Sequence, residues 1–122
     1  MINIKEFVSN LPQLKEDQIK FMMDLILKDS VSTREFYNLA KKTVHGKALI
    51  YRSFSFDDWE SIYVVAKLDE KKSILEMMLQ TANSFENCKY FILENVAMDE
   101  SFRNSVIEKM AVFAESFEEV AD

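Results

Sequence analysis

The chain has 122 residues, of which 48% are hydrophobic, and a formal net charge of −6. This length fits one domain, able to bury roughly two thirds of the surface that its unfolded chain exposes. The single glycine and single proline are far too few for the turns of a β-rich domain. We therefore expect one all-α domain over residues 1–122, a compact bundle of about five to six short antiparallel helices.

The scarcity of glycine, histidine and cysteine argues against several classes of enzyme. With Gly46 as the only glycine, the chain cannot form the usual glycine-rich loops that hold phosphates or dinucleotides. His45 is the only histidine and Cys88 the only cysteine, which are too few for the common zinc or di-iron centres. We expect no catalytic residue, no cofactor and no metal site, and predict that the protein is not an enzyme.

The distribution of apolar residues predicts no contact with a membrane. The longest stretch without a charged residue, 77–85, has nine residues, against roughly 20 in a membrane-spanning helix. The first residues lack the basic-then-apolar pattern of a signal peptide. We therefore expect a cytoplasmic protein. Its Lys-, Ile-, Asn- and Phe-rich composition is typical of an AT-rich genome, such as that of a low-GC bacterium or its phage.

Residues 1–54 are expected to form less regular N-terminal helices. Apolar spacing predicts a short helix before Pro12, a second helix after it, and a third that ends at Gly46. Glycine suits this end because it tolerates left-handed backbone. His45 would then interact with the dipole at the C-terminus of that helix.

The chain after this point is ambiguous between helix and a two-stranded β-hairpin over 48–68. Residues 48–54 could form a short helix, or a strand paired with 61–68, whose β-branched and aromatic side chains suit a strand. We favour a helix for the second segment because Ser55 and Asp58 match a capping box ahead of it.

Two segments in the second half of the chain resemble each other. Residues 73–86 and 105–118 are identical at seven of fourteen positions, with an offset of 32 residues. One interpretation is a pair of repeated helical hairpins, 57–86 and 89–118, in which Met78 and the methionine 32 residues later occupy equivalent core positions. The alternative is a chance similarity between amphipathic helices of similar composition.

Charge is unevenly distributed along the chain. Residues 28–52 hold six basic and two acidic side chains, whereas residues 94–122 hold eight acidic and two basic ones. The acidic end is most simply a solvated helix surface, and its modest charge density argues against a mimic of DNA. The less expected basic stretch supplies most of the candidate partner-binding residues, which are Arg34, Lys41, Lys42, His45, Lys47, Arg52 and, beyond the stretch, Trp59.

Two functional hypotheses follow from these features. The first is a small non-enzymatic regulatory or adaptor protein that binds a protein partner through a helical surface. Ten Phe, seven Met and four Tyr favour it, because methionine and aromatic side chains suit adaptable binding surfaces. The alternative is a nucleic-acid-binding regulator in which the basic segment 28–52 contacts phosphates. Self-association into a homo-oligomer is compatible with both.

Overall fold

Eight α-helices and no strand are formed within residues 3–94 and 98–121, the part of the chain that the computed structural model describes, with side chains up to residue 114. The all-α prediction is confirmed, and the predicted number of about five to six helices is wrong. The helices are α1 (Ile4–Asn10), α2 (Glu16–Ile26), α3 (Ser30–Ala40), α4 (Val44–Ser53), α5 (Phe56–Tyr63), α6 (Leu68–Thr81), α7 (Phe85–Leu93) and α8 (Glu100–Ala121). One turn of 3-10 helix, Leu11–Gln13, joins α1 to α2.

Side-chain caps divide the chain more finely than apolar periodicity indicates. Thr43 Oγ1 accepts a hydrogen bond from the backbone N–H of Gly46 at 2.9 Å and so starts α4. At the start of α5, the predicted capping box is confirmed, since the carboxylate of Asp58 accepts from the N–H of Ser55 at 2.9 Å. Each such cap stabilises a helix start by about 1 kcal/mol.

Gly46 does not end a helix, contrary to the prediction. The break lies earlier, because α3 ends at Ala40 and Thr43 caps the next helix. Gly46 and His45 therefore both lie in the first turn of α4, so the expected contact of His45 with a helix C-terminus is also wrong. Glycine is needed here for space, since a Cβ would clash with the carbonyl oxygen of Ala40 and with Thr43 Oγ1.

The ambiguous segment 48–68 contains the end of α4, all of α5 and the first residue of α6, joined by short non-helical connections, and the β-hairpin alternative is wrong. Residues 48–53 belong to α4, where the consecutive Leu49 and Ile50 are both buried, which a half-buried strand with alternating faces does not allow. The next turn packs tightly, with the rings of Phe54 and Trp59 edge to face at a centroid distance of 5.2 Å. This contact across the N-terminus of α5 has the form of a hydrophobic staple.

The core is built around α3 and continues into two helix pairs. Helix α3 packs against α1, α4 and α5, while α5 packs against α6 and α7 against α8. The largest fully buried apolar side chains come from six helices and are Ile26, Phe36, Ile50, Ile74, Met78, Cys88, Phe91 and Val106. Within the described ranges, no helix has the length and apolar character that a membrane span requires.

The proposed repeat is matched at some core positions and not at others. Met78 is fully buried, and Met110 is half-buried against the same core, so both face inward as the repeat requires. At another pair with the same offset, Leu75 is buried whereas Ile107 is 50% exposed. The side chains of 115–118, which end the second copy, lie outside the described residues. The repeat therefore stays a prediction.

Candidate partner-binding site

Two of the predicted basic residues are engaged with the chain itself. Arg34 on α3 donates from Nε to the carbonyl oxygen of Ser61 on α5 at 2.9 Å. Arg52 near the end of α4 forms an exposed ion pair with Glu16 on α2 at 2.8 Å. Both arginines thus hold helices together, which reduces what they can offer to a partner.

Lys41 has two contacts within the protein. Its Nζ lies 2.9 Å from a carboxylate oxygen of Glu70 and 5.1 Å from the ring centroid of Tyr37. These contacts tie the end of α3 to the start of α6. The side chain of Lys41 is still 29% exposed, so it contributes positive charge to the adjoining surface.

The remaining lysines of this region border a groove between α3, α4, α5 and α6. Lys42 and Lys47 are exposed, and neither has an ion pair within the described part of the chain. The groove has a volume of about 380 Å³, within the range of small ligand sites. We call it the lysine–aromatic groove. It is lined by Tyr37, Lys41, Lys42, Lys47, Ile50, Tyr51, Trp59, Ser73, Ile74 and Met77.

Trp59 lies at the base of this groove, enclosed by other aromatic rings. Its side chain is only 2% exposed. Tyr51 stacks on it at a centroid distance of 6.1 Å with 27° between the ring planes, and Tyr37 meets it edge to face at 6.0 Å and 78°. Tyr51 is itself 57% exposed. A partner would therefore meet the ring of Tyr51 before that of Trp59.

The indole N–H of Trp59 is buried without a hydrogen-bond partner in the described part of the chain. Most buried polar groups in proteins are hydrogen-bonded, and leaving a donor unsatisfied costs about 1–3 kcal/mol. An acceptor oxygen brought to this nitrogen by a ligand would recover that cost. Within the described ranges, Trp59 is therefore the one groove residue with a buried polar atom that lacks a hydrogen-bond partner.

Burial raises the pKa of two other groups, Tyr37 and Cys88. Burial, and secondarily the nearby carboxylate of Glu70, raise the pKa of Tyr37, so its hydroxyl stays neutral and able to donate a hydrogen bond. Burial also raises the pKa of the Cys88 thiol, against a smaller opposing effect of Lys109. A protonated, buried thiol is a poor nucleophile. No group of three or more potential metal-ligating side chains occurs among the described residues.

His45 is exposed in the first turn of α4 and is not among the groove-lining residues. The structure thus brings together Lys41, Lys42, Lys47 and Trp59 from the predicted set. Arg34 shares a smaller neighbouring groove with Lys41, whereas Arg52 and His45 line neither groove.

Sequence reasoning missed the two tyrosines of the groove. Tyr37 precedes Lys41 by four residues on one helix, and Tyr51 follows Lys47 by four residues on the next. Residues four apart lie on the same face of a helix. This spacing is the signal that could have placed each tyrosine beside its lysine.

A larger groove of about 780 Å³ lies between α6 and α8. Several of its charged groups are occupied, since Lys72 lies 3.9 Å from Asp99 and Lys109 donates to the carbonyl oxygens of Leu79 and Gln80. Its mixed lining gives no consistent charge for a partner to match. The lysine–aromatic groove is therefore the better candidate.

Comparisons with protein-family models, with curated proteins and with solved structures find no significant match. Function is therefore inferred from the residues of the lysine–aromatic groove.

Proposed function

We propose that the protein is a small non-enzymatic regulatory or adaptor protein that binds an acidic segment of a protein partner in the lysine–aromatic groove. The observation that supports this most directly is the position of Lys42 and Lys47, which have no ion pair in the described part of the chain, beside a groove with aromatic walls. The groove offers positive charge at its rim and apolar surface inside. A complementary segment carries Asp or Glu next to an apolar side chain.

The energetics require both parts of that segment. Ion pairs with exposed lysines contribute only about 0.2–1 kcal/mol each, which is too little for specific binding. Contact with Tyr51 and Met77 adds the larger favourable contribution, about 2.5 kcal/mol for every ~100 Å² of apolar surface buried, before the cost of ordering the bound segment. Tyr51 is well exposed and Met77 is half-buried, so both have apolar surface still available. The lysines then serve mainly to select the partner and to steer its approach.

Nucleic-acid binding is the alternative that the basic segment raised. Arg34, Lys41 and Arg52 are engaged with Ser61, Glu70 and Glu16, which leaves Lys42 and Lys47 as the main phosphate contacts. Two phosphate contacts would give a salt dependence of only about −1.4 to −1.8 in log–log slope. An acidic protein segment uses the apolar wall of the groove as well, and we favour it for that reason.

Selection from a random peptide library displayed on phage tests the proposal. We expect the wild type to enrich peptides with Asp or Glu beside an aromatic or aliphatic residue. The double variant Lys42→Glu/Lys47→Glu should lose this enrichment. The matched control Lys5→Glu/Lys20→Glu makes the same change in net charge on exposed lysines outside the groove. This control should keep the enrichment.

Two results would count against the proposal. One is enrichment of peptides without acidic residues. The other is equal binding by the wild type and the groove variant, with circular dichroism showing that both are folded. A third result would favour nucleic-acid binding instead. In that case the wild type selects no peptides but is retained on heparin at low salt, and only the groove variant loses this retention.

A further inference from the structure

The structure points to a specific anchor within the bound segment. We propose that a carboxylate side chain of the partner enters the lysine–aromatic groove and accepts a hydrogen bond from the indole N–H of Trp59. This inference rests on the proposed function and adds to it the atom that recognises the partner. It identifies the occupant as a segment whose Asp or Glu is buried on binding.

The proposed hydrogen bond uses a donor that is unsatisfied in the described part of the unbound protein. Trp59 Nε1 is buried and lacks a partner within the described residues. Tyr37, Tyr51 and Phe54 surround the indole with their rings at centroid distances of 5.2–6.1 Å. A phenylalanine in this position would fit the aromatic cluster without leaving a donor unsatisfied. The N–H is therefore the feature that a ligand can use.

The partner side chain must also reach the indole of Trp59 through the rings around it. Of the three rings around the indole, Tyr51 is the exposed one, at 57%, whereas Phe54 is 4% exposed. An exposed side chain changes rotamer in picoseconds to nanoseconds, so Tyr51 can move aside without disturbing the core. The ring of Tyr51 stacks on the face of the indole, so its movement widens the groove beside Trp59, and the entering side chain then reaches the N–H at the edge of the indole.

A carboxylate is the acceptor that best fits the donors of this groove. An ionised carboxylate has only acceptor sites, and its two oxygens can serve two donors at once. One oxygen takes the indole N–H, and the other remains free to accept from a lysine of the same groove, Lys42 or Lys47. Hydrogen bonds to an ionised acceptor are roughly twice as strong as those between neutral groups. A glutamine side chain in the same place is uncharged, so it forms no ion pair with the lysines and only a weaker hydrogen bond with the indole N–H.

Nuclear magnetic resonance reads the proposed bond directly, because Trp59 is the only tryptophan and gives a single indole N–H signal. The ¹⁵N-labelled protein is titrated with N-acetyl-phenylalanyl-glutamyl amide, and with the glutaminyl version as the matched control. We expect the indole proton to shift downfield, saturably, with the glutamyl peptide and to remain in place with the glutaminyl one.

Each result has a distinct meaning. A glutamyl peptide that perturbs the amide signals around Lys42 and Lys47 but leaves the indole signal unmoved overturns the anchor and keeps the proposed function. Failure of both peptides to perturb the groove counts against both. As a second measurement, Trp59→Phe should bind the glutamyl peptide about tenfold more weakly. Affinity equal to that of the wild type would overturn the anchor.

Discussion

Replacing Trp59 by phenylalanine should change the free energy of unfolding very little, although Trp59 is among the most buried residues. The change removes two ring carbons, which costs about 1.6 kcal/mol at about 0.8 kcal/mol for each buried carbon group. It also removes a buried N–H that has no partner in the described part of the chain, and so recovers about 1–3 kcal/mol of desolvation. We therefore expect the variant to lie between about 0.6 kcal/mol less stable and about 1.4 kcal/mol more stable than the wild type.

Urea denaturation followed by far-ultraviolet circular dichroism measures this difference, since the variant has lost its only tryptophan and cannot be followed by tryptophan fluorescence. Trp59→Ala is the control, and it should lose about 3–5 kcal/mol because it empties the centre of the aromatic cluster. If Trp59→Phe were destabilised as much as Trp59→Ala, removing the indole N–H would bring no gain in stability. That result would refute the reasoning.

Three further predictions concern other parts of the fold. Gly46→Ala should destabilise the protein by about 1–2 kcal/mol in the same denaturation assay. A clash with the backbone at Ala40 outweighs the gain of about 1 kcal/mol in helix propensity. A variant more stable than the wild type would contradict the close approach of α4 to Ala40. Lys109→Met should cost about 1–2 kcal/mol, because it removes the charged donor from the carbonyl oxygens at the end of α6, and unchanged stability would show that this contact is not formed in solution. Burial raises the pKa of Cys88 above its ordinary value of 9.0. The unfolded thiol therefore loses its proton first as pH rises, and stability should fall from about pH 9 upward. Cys88→Ala should show a smaller fall at the start of that range, and an identical fall in both proteins would contradict this assignment.

Local features of the fold could be predicted, and those that depend on distant contacts could not. The capping box of Ser55 and Asp58 joins residues three apart, so the sequence alone indicates it. The role of Gly46 depends on how closely α4 approaches the end of α3. A lone glycine resembles a helix stop, and only the packing shows that Gly46 is needed for the close approach to Ala40 inside the first turn of α4.

The same distinction explains the candidate site. Basic residues could be found from composition, but their partners lie far along the chain. Arg34 bonds to a carbonyl oxygen 27 residues later, and Lys41 pairs with a carboxylate 29 residues later. Such contacts decide which lysines remain available to a partner, and local spacing says nothing about them. The tyrosines beside Lys41 and Lys47 were within reach of a helical-spacing argument.

The succession of helix contacts also bears on how fast the chain folds. Among the packed pairs of α-helices, α3 with α4, α5 with α6 and α7 with α8 are neighbours in sequence, while α1 with α3 and α3 with α5 skip a single α-helix. Native contacts between nearby residues require little loop closure before they form. Helical proteins with such local contacts fold in microseconds to milliseconds. The lysine–aromatic groove, built from the consecutive helices α3 to α6, would then form on the same timescale, so a newly made chain exposes its aromatic residues only briefly.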